Sequence, residues 1–183
     1  MATSAENGFS LIEVLVSIFI LAVGVVGAAA MQLSALRTAQ QSAFQTTAAH
    51  LALEMAEAML ATPVGAHANP YLGLDYQATG HPAAATHHCY GKDTACDAKE
   101  LAGFEIQNFL ERLTRELPDA RVRICQDAQP WDEAARQYRW DCRHSSNAAI
   151  AIKLAWARQE SATHSEAMNI KPLFVLMLAL PAK

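Results

Sequence analysis

The chain has 183 residues, with 14 Lys and Arg against 18 Asp and Glu, for a formal net charge of −4. That balance supplies no basic stripe to replace counterions on phosphates, which argues against a general nucleic-acid binder. Hydrophobic residues make up 52% and charged residues only 17%, so the composition suits one folded domain plus an apolar attachment.

The apolar excess lies at the front. Residues 1–8, MATSAENG, are polar, with one acid and no Lys or Arg, so the positive-inside rule assigns them no orientation. From Phe9 the helix signal is strong. No residue between Val14 and Leu36 is charged. As a helix this run spans about 35 Å, more than the roughly 30 Å hydrocarbon core of a bilayer. Gly24 and Gly27 lie inside it, where a neighbouring helix can approach closely. At its mouth stands one carboxylate, Glu13. A charge in hydrocarbon costs on the order of a few kcal/mol, so its presence asks for a reason. The bland reason is that Glu13 complements the positive end of its own helix or reaches back to the interface.

The helix continues beyond the apolar run, because no Gly or Pro occurs between Ala28 and Thr62 and alanine is abundant. After Arg37 its character changes. Phe44, Ala48, Leu51, Met55 and Met59 recur at helical spacing, while Gln41, Gln45, Glu54 and Glu57 are polar. A helix apolar on all sides needs lipid or a protein core, and a striped one needs a domain on one face. The predicted stop is Pro63-Val64-Gly65.

Pro70–Cys96 reads as an irregular loop rich in Gly, Pro, His and Ala. A second helix follows, opened by Asp97 with Glu100 as a capping box and closed at Leu117-Pro118. Its apolar face is Ile106, Phe109, Leu110, Leu113 and Leu117. A strand is predicted where Val122 and Ile124 alternate with Arg121 and Arg123 ahead of Cys125, then a polar, turn-rich segment over Gln126–Trp140. In a second strand Ile150, Ile152, Leu154 and Trp156 share one face and Lys153 lies on the other. Leu173–Leu178 is apolar on both faces and reads as a central or covered strand. The predicted fold class is α+β: a long N-terminal helix on a small antiparallel sheet of three or four strands.

Cys89, Cys96, Cys125 and Cys142 all follow the apolar run, an even number on one side of an anchor, as for two disulfides in an oxidising compartment. Of three connectivities, Cys89–Cys96 and Cys125–Cys142 are favoured because each closes a short local loop. A zinc site from His87, His88, Cys89 and Cys96 is the competing reading, disfavoured because adjacent histidines must point in opposed directions and two cysteines stay unexplained. No metal and no cofactor are expected. Nor is an enzyme: there is no phosphate-binding Gly-rich loop, no G-x-S-x-G and no metalloprotease helix motif. His50 and His144 read as surface residues, and Trp131, Tyr138 and Trp140 as a cover for the sheet.

Gly8-Phe9-Ser10-Leu11-Ile12-Glu13-Val14-Leu15-Val16 resembles the class III signal of type IV pilins and type II secretion pseudopilins. The runs Leu36–Phe44 and Ala49–Glu57, and the order Cys, helix, Leu117-Pro118, strand, Cys125, are similar to the minor pilins called PilV. The resemblance implies a leader over 1–8, a membrane and filament-core helix over 9–36, an amphipathic continuation over 37–63 and a periplasmic head over 64–183. It implies cleavage between Gly8 and Phe9 by a prepilin peptidase and methylation of the new Phe9 amine. Glu13, four residues on, would then meet the amine of a neighbouring subunit during assembly. It further implies an inner-membrane protein with lipid around its helix before assembly, and minor and major pilins as partners in a fibre. Priming of assembly, a tip complex, and effects on twitching motility or adhesion belong to the same implication.

Two other readings stand beside it. A minor pseudopilin of a type II secretion system shares the front end. A secreted protein with an ordinary signal peptide would be cut after Gly27-Ala28-Ala29-Ala30 and begin at Met31, although Glu13 and the uninterrupted helix count against it.

Overall fold

The computed structural model describes residues 10–62, 69–78, 89, 95–145, 148–157 and 170–179. The chain divides into two units, Met1–Ser42 and Ala43–Lys183. Helix α1, Leu11–Ala61, contributes to both. In the first unit every described residue through Gln40 is exposed, and large apolar side chains point outward all round, from Leu11 and Ile12 to Leu33 and Leu36. Soluble domains do not leave such a surface bare. This helix is long and apolar enough to cross a membrane.

Within the second unit α1 becomes one-sided. Ala48, Leu51, Ala52, Met55, Ala56 and Met59 are buried, while Glu54 and Glu57 are exposed. Spacings of three and four put the buried set on one stripe, and Phe44 packs partly against the core it joins. The predicted stop at Pro63–Gly65 lies outside the described residues, but Thr62 caps the last turn by donating its backbone N–H to the Ala58 carbonyl at 3.1 Å.

Helix α2, Ala98–Glu116, starts where the sequence places it. The Asp97 carboxylate accepts from the N–H groups of Lys99 and Glu100 at 2.9 and 2.7 Å, and the Glu100 carboxylate accepts from the Asp97 N–H at 3.0 Å. Three of the otherwise unpaired N–H groups at the helix start are thus satisfied. Its inner face buries Ala102, Phe109, Leu110 and Leu113, with Leu117 at the cap. Arg112 forms an ion pair with Glu54 of α1.

Among the described residues six strands complete the unit: β1 (Asp75–Gln77), β2 (Arg121–Gln126), β3 (Trp131–Asp132), β4 (Gln137–Tyr138), β5 (Ile150–Ala155) and β6 (Phe174–Leu178). The main sheet runs β1-β2-β5-β6, with every neighbouring pair antiparallel, and β3-β4 is a separate hairpin. Val122 stands opposite Leu154, and Ile124 opposite Ile152. Their shared face joins α1 and α2 in one core with Tyr71 and Trp156. Tyr71 is fully buried, and its hydroxyl donates to the Glu105 carboxylate of α2 and lies 3.1 Å from Thr62 Oγ1. Burial, reinforced by the Glu105 bond, pushes the phenol up to about 12.

The structure refines three sequence expectations. The loop expected over Pro70–Cys96 contains β1, an edge strand of three residues, too short for an alternation signal. It is placed by Gly73 (φ 87°), whose N–H donates to the Ile124 carbonyl at 3.0 Å, and by the Leu74 carbonyl, which accepts from the Ile124 N–H at 2.8 Å. Gln126–Trp140 is folded back as the β3–β4 hairpin, its turn built by Asp132, which accepts from the N–H groups of Ala134 and Ala135 at 3.0 Å each. Finally, β6 is an edge strand and not a central one. Leu178 is buried and Phe174 and Leu176 pack against the core, whereas Met177 is 41% exposed. Two-sided apolarity therefore does not mark a strand paired on both edges.

Candidate functional site

Two regions carry the features singled out in the sequence. The first is the start of α1. Glu13 lies in its first turn and is exposed; its N–H donates to the Ser10 carbonyl at 3.0 Å, and its own carbonyl accepts from the Ser17 hydroxyl at 2.7 Å. A carboxylate in a first turn faces the positive end of the helix dipole. Gly8 and Phe9 lie outside the described residues. A Cβ built on Gly24 or Gly27 meets nothing within 4 Å, so both leave backbone open at an exposed surface, as close helix approach requires.

The second region is the segment between Cys125 and Cys142. The structure joins Cys89 to Cys96, seven residues apart, and Cys125 to Cys142, seventeen apart. With both sulfurs of the first pair bonded to each other, Cys89 and Cys96 offer no thiolates to zinc; His87 and His88 lie outside the described residues. Among the described residues no group of three or more His, Cys, Asp or Glu is placed to hold a metal ion. His50 and His144 are exposed.

The Cys125–Cys142 segment lies over the sheet face opposite the helices. All six residues of β5 are buried, Lys153 included. Sequence alternation put Lys153 on the face away from the core, and it is there, covered by the segment. The Lys153 ammonium donates to Asp127 Oδ2 at 2.6 Å, and to the carbonyls of Arg139 at 2.8 Å, Trp140 at 3.4 Å and Asp141 at 2.9 Å. Both members of this ion pair are fully buried.

Asp127 Oδ1 in turn accepts from the N–H groups of Gln129 at 3.0 Å and Arg143 at 3.1 Å. Burial pushes the Asp127 carboxyl up, but the Lys153 ammonium and those backbone donors together outweigh it and hold the group below its ordinary value. Nothing in the sequence announced this pair. A lysine in a period-two strand ordinarily marks solvent, and only the count of charges within the cysteine loop could have raised the question.

The aromatic residues of the segment act as its cover. Trp131 and Tyr138 meet edge to face across the hairpin with centroids 5.0 Å apart. The Trp140 indole donates to the Ile170 carbonyl at 2.8 Å, and the Arg121 guanidinium sits 4.3 Å above its ring. Arg121 also pairs with Asp75 at 3.2 Å, so the outer sheet face is occupied from β1 across to β5.

Residues 3–29 match the family model described as the prokaryotic N-terminal methylation motif. No curated protein and no solved structure matches the chain. The matched segment covers the Gly8-Phe9 junction, Glu13 and the apolar start of α1. An N-terminal methylation motif leading a long helix, apolar first and one-sided afterwards, packed on a small antiparallel sheet with two disulfides, is a pilin-like architecture. It is consistent with the type IV pilin and pseudopilin superfamily, with processing by a prepilin peptidase, and with a single pass through the inner membrane.

Proposed function

We propose that this chain is a minor pilin of a type IV pilus, akin to the PilV group, made as an inner-membrane precursor and drawn into the fibre. Residues 1–8 are the leader; 9–36 form the membrane and filament-core helix, 37–63 its amphipathic continuation, and 64–183 the periplasmic head. A prepilin peptidase hydrolyses the Gly8–Phe9 bond and methylates the new amine of Phe9. Gly8 leaves room for the protease at that bond because it has no side chain.

The observation that carries the reading is the bare apolar helix with one acid, Glu13, in its first turn. Once Phe9 is the first residue, an amine and a carboxylate stand one helical turn apart in sequence. In a filament core of low dielectric each needs an opposite charge, and the amine of a neighbouring subunit supplies it and sets the axial register. The head then contacts other minor pilins, primes assembly with major pilins and takes part in a tip complex, with effects on twitching motility or adhesion.

A minor pseudopilin of a type II secretion system shares this front end and mechanism, and differs in which fibre receives the subunit. The test is incorporation. With Glu13→Ala the chain should still insert in the inner membrane, but its recovery in sheared pili should fall at least tenfold against wild type. Undiminished recovery would remove Glu13 from assembly, and loss of exoprotein secretion with intact motility would move the subunit to the secretion fibre.

A further inference from the structure

The Cys125–Cys142 bond is not the only closure of its loop. Asp127 lies two residues after Cys125, and Arg139, Trp140 and Asp141 are the three residues before Cys142. The Lys153 ammonium donates to Asp127 Oδ2 at 2.6 Å and to all three of those carbonyls, at 2.8, 3.4 and 2.9 Å. Backbone bonds brace the same junction: the Asp127 N–H donates to the Ala149 carbonyl and the Ala128 N–H to the Arg143 carbonyl, each at 2.9 Å. The two ends of the loop are therefore clamped on a buried cation of the central strand, immediately beside the two sulfurs.

We propose that Lys153 is the residue that selects the Cys125–Cys142 pairing: it closes the loop non-covalently first and presents the two thiols to each other for oxidation. Four cysteines offer three connectivities, and oxidation alone is indifferent between them. A clamp that fixes both ends of one loop raises the effective concentration of that thiol pair over the others. The covalent step needs a disulfide oxidant. The Cys125 thiolate attacks it and forms a mixed disulfide, releasing one thiolate. The Cys142 thiolate then attacks the Cys125 sulfur, closes the bond and releases the second. The two cysteines lose two electrons and two protons, and the oxidant leaves as two thiols. Because the clamp is independent of the sulfurs, it also keeps the loop docked when the bond is open.

Two measurements test this on the full-length chain in detergent micelles. In the first, reduced wild type and Lys153→Met are reoxidised with glutathione disulfide, trapped over time and mapped by non-reducing peptide analysis. Wild type is expected to give Cys125–Cys142 as the main product, and Lys153→Met to form it at least tenfold more slowly, with pairs that cross to Cys89 or Cys96 rising. Equal rate and equal pairing in the two proteins would overturn the proposal. The second needs no Lys153 variant and stands even if that variant fails to fold. In Cys125→Ser/Cys142→Ser, amide exchange over residues 126–141 is expected to stay within about threefold of oxidised wild type. Exchange rising a hundredfold there, with the core strands still protected, would show the disulfide as the sole closure and overturn the proposal.

Discussion

At the scale of single residues, the molecule places two opposite charges where charge is costly and partners both. Lys153 and Asp127 are both fully buried, and each is surrounded by partners: one carboxylate oxygen and three carbonyls on the ammonium, two backbone N–H groups on the other carboxylate oxygen. Such a pair adds little against an apolar replacement of both members, but removing one leaves the other charge buried without its partner. Lys153→Met should therefore destabilise the second unit by about 3–5 kcal/mol at neutral pH, read from urea unfolding followed by tryptophan fluorescence.

The pH dependence has a definite sign. The Asp127 carboxyl is held below its ordinary value in the folded chain, so the stabilisation is complete above the ordinary carboxylate range. It is lost as pH falls through the depressed folded value. In Lys153→Met the charge that lowers Asp127 is gone, and burial is opposed only by the backbone N–H groups of Gln129 and Arg143. The stability gap between wild type and variant should accordingly shrink as pH falls below the carboxylate range. A gap that is constant from neutral pH into acid would mean that Asp127 does not titrate with folding.

At the scale of elements, what was legible in the sequence follows the length of the signal. The striped half of α1, the face of α2 and its capping box could all be read, because helical periodicity over many residues and a side-chain cap are local properties. Asp97→Ala removes the two bonds that the Asp97 carboxylate accepts from the N–H groups of Lys99 and Glu100 and should cost about 1 kcal/mol, whereas Leu51→Ala, which empties a fully buried site, should cost about 2–5 kcal/mol. Thermal unfolding of the two variants side by side checks that order.

The strands were less legible, for reasons particular to each. β1 has three residues and β3 and β4 two apiece, below the length at which alternation can be recognised. Lys153 could be put on the right face but not in the right environment, because what covers that face is the loop closed by Cys125 of β2 and Cys142. β6 read as central or covered because its side chains are apolar, yet pairing is decided by neighbours in space. As an edge position, Met177 should accept Lys with less than about 0.5 kcal/mol lost, as exposed sites generally do; a loss of several kcal/mol would mean that something packs over it.

At the scale of the whole molecule, the two units call for different solvents. The first presents apolar side chains on every side and carries one acid near its start; the second buries its apolar residues in a core shared by α1, α2 and the sheet. A chain beginning at Ala43 should stay in solution without detergent, while the full chain should require it, a contrast that sedimentation after detergent removal reports directly. The motif at the front was legible in the sequence, because the N-terminal methylation motif is one short local run, matched over residues 3–29. The clamp on the Cys125–Cys142 loop was not, because it joins residues from three separate stretches of sequence.

The most direct test is the intact mass and amino-terminal sequence of the chain co-expressed with a prepilin peptidase. A mature polypeptide that begins at Phe9 and carries one methyl group on its amine is the predicted result, with the Gly8 side of the bond released as the leader. A product that begins at Met31, or one that keeps residues 1–8 in the presence of active peptidase, would contradict it. Glu13 would then have no amine one turn away to exchange between subunits.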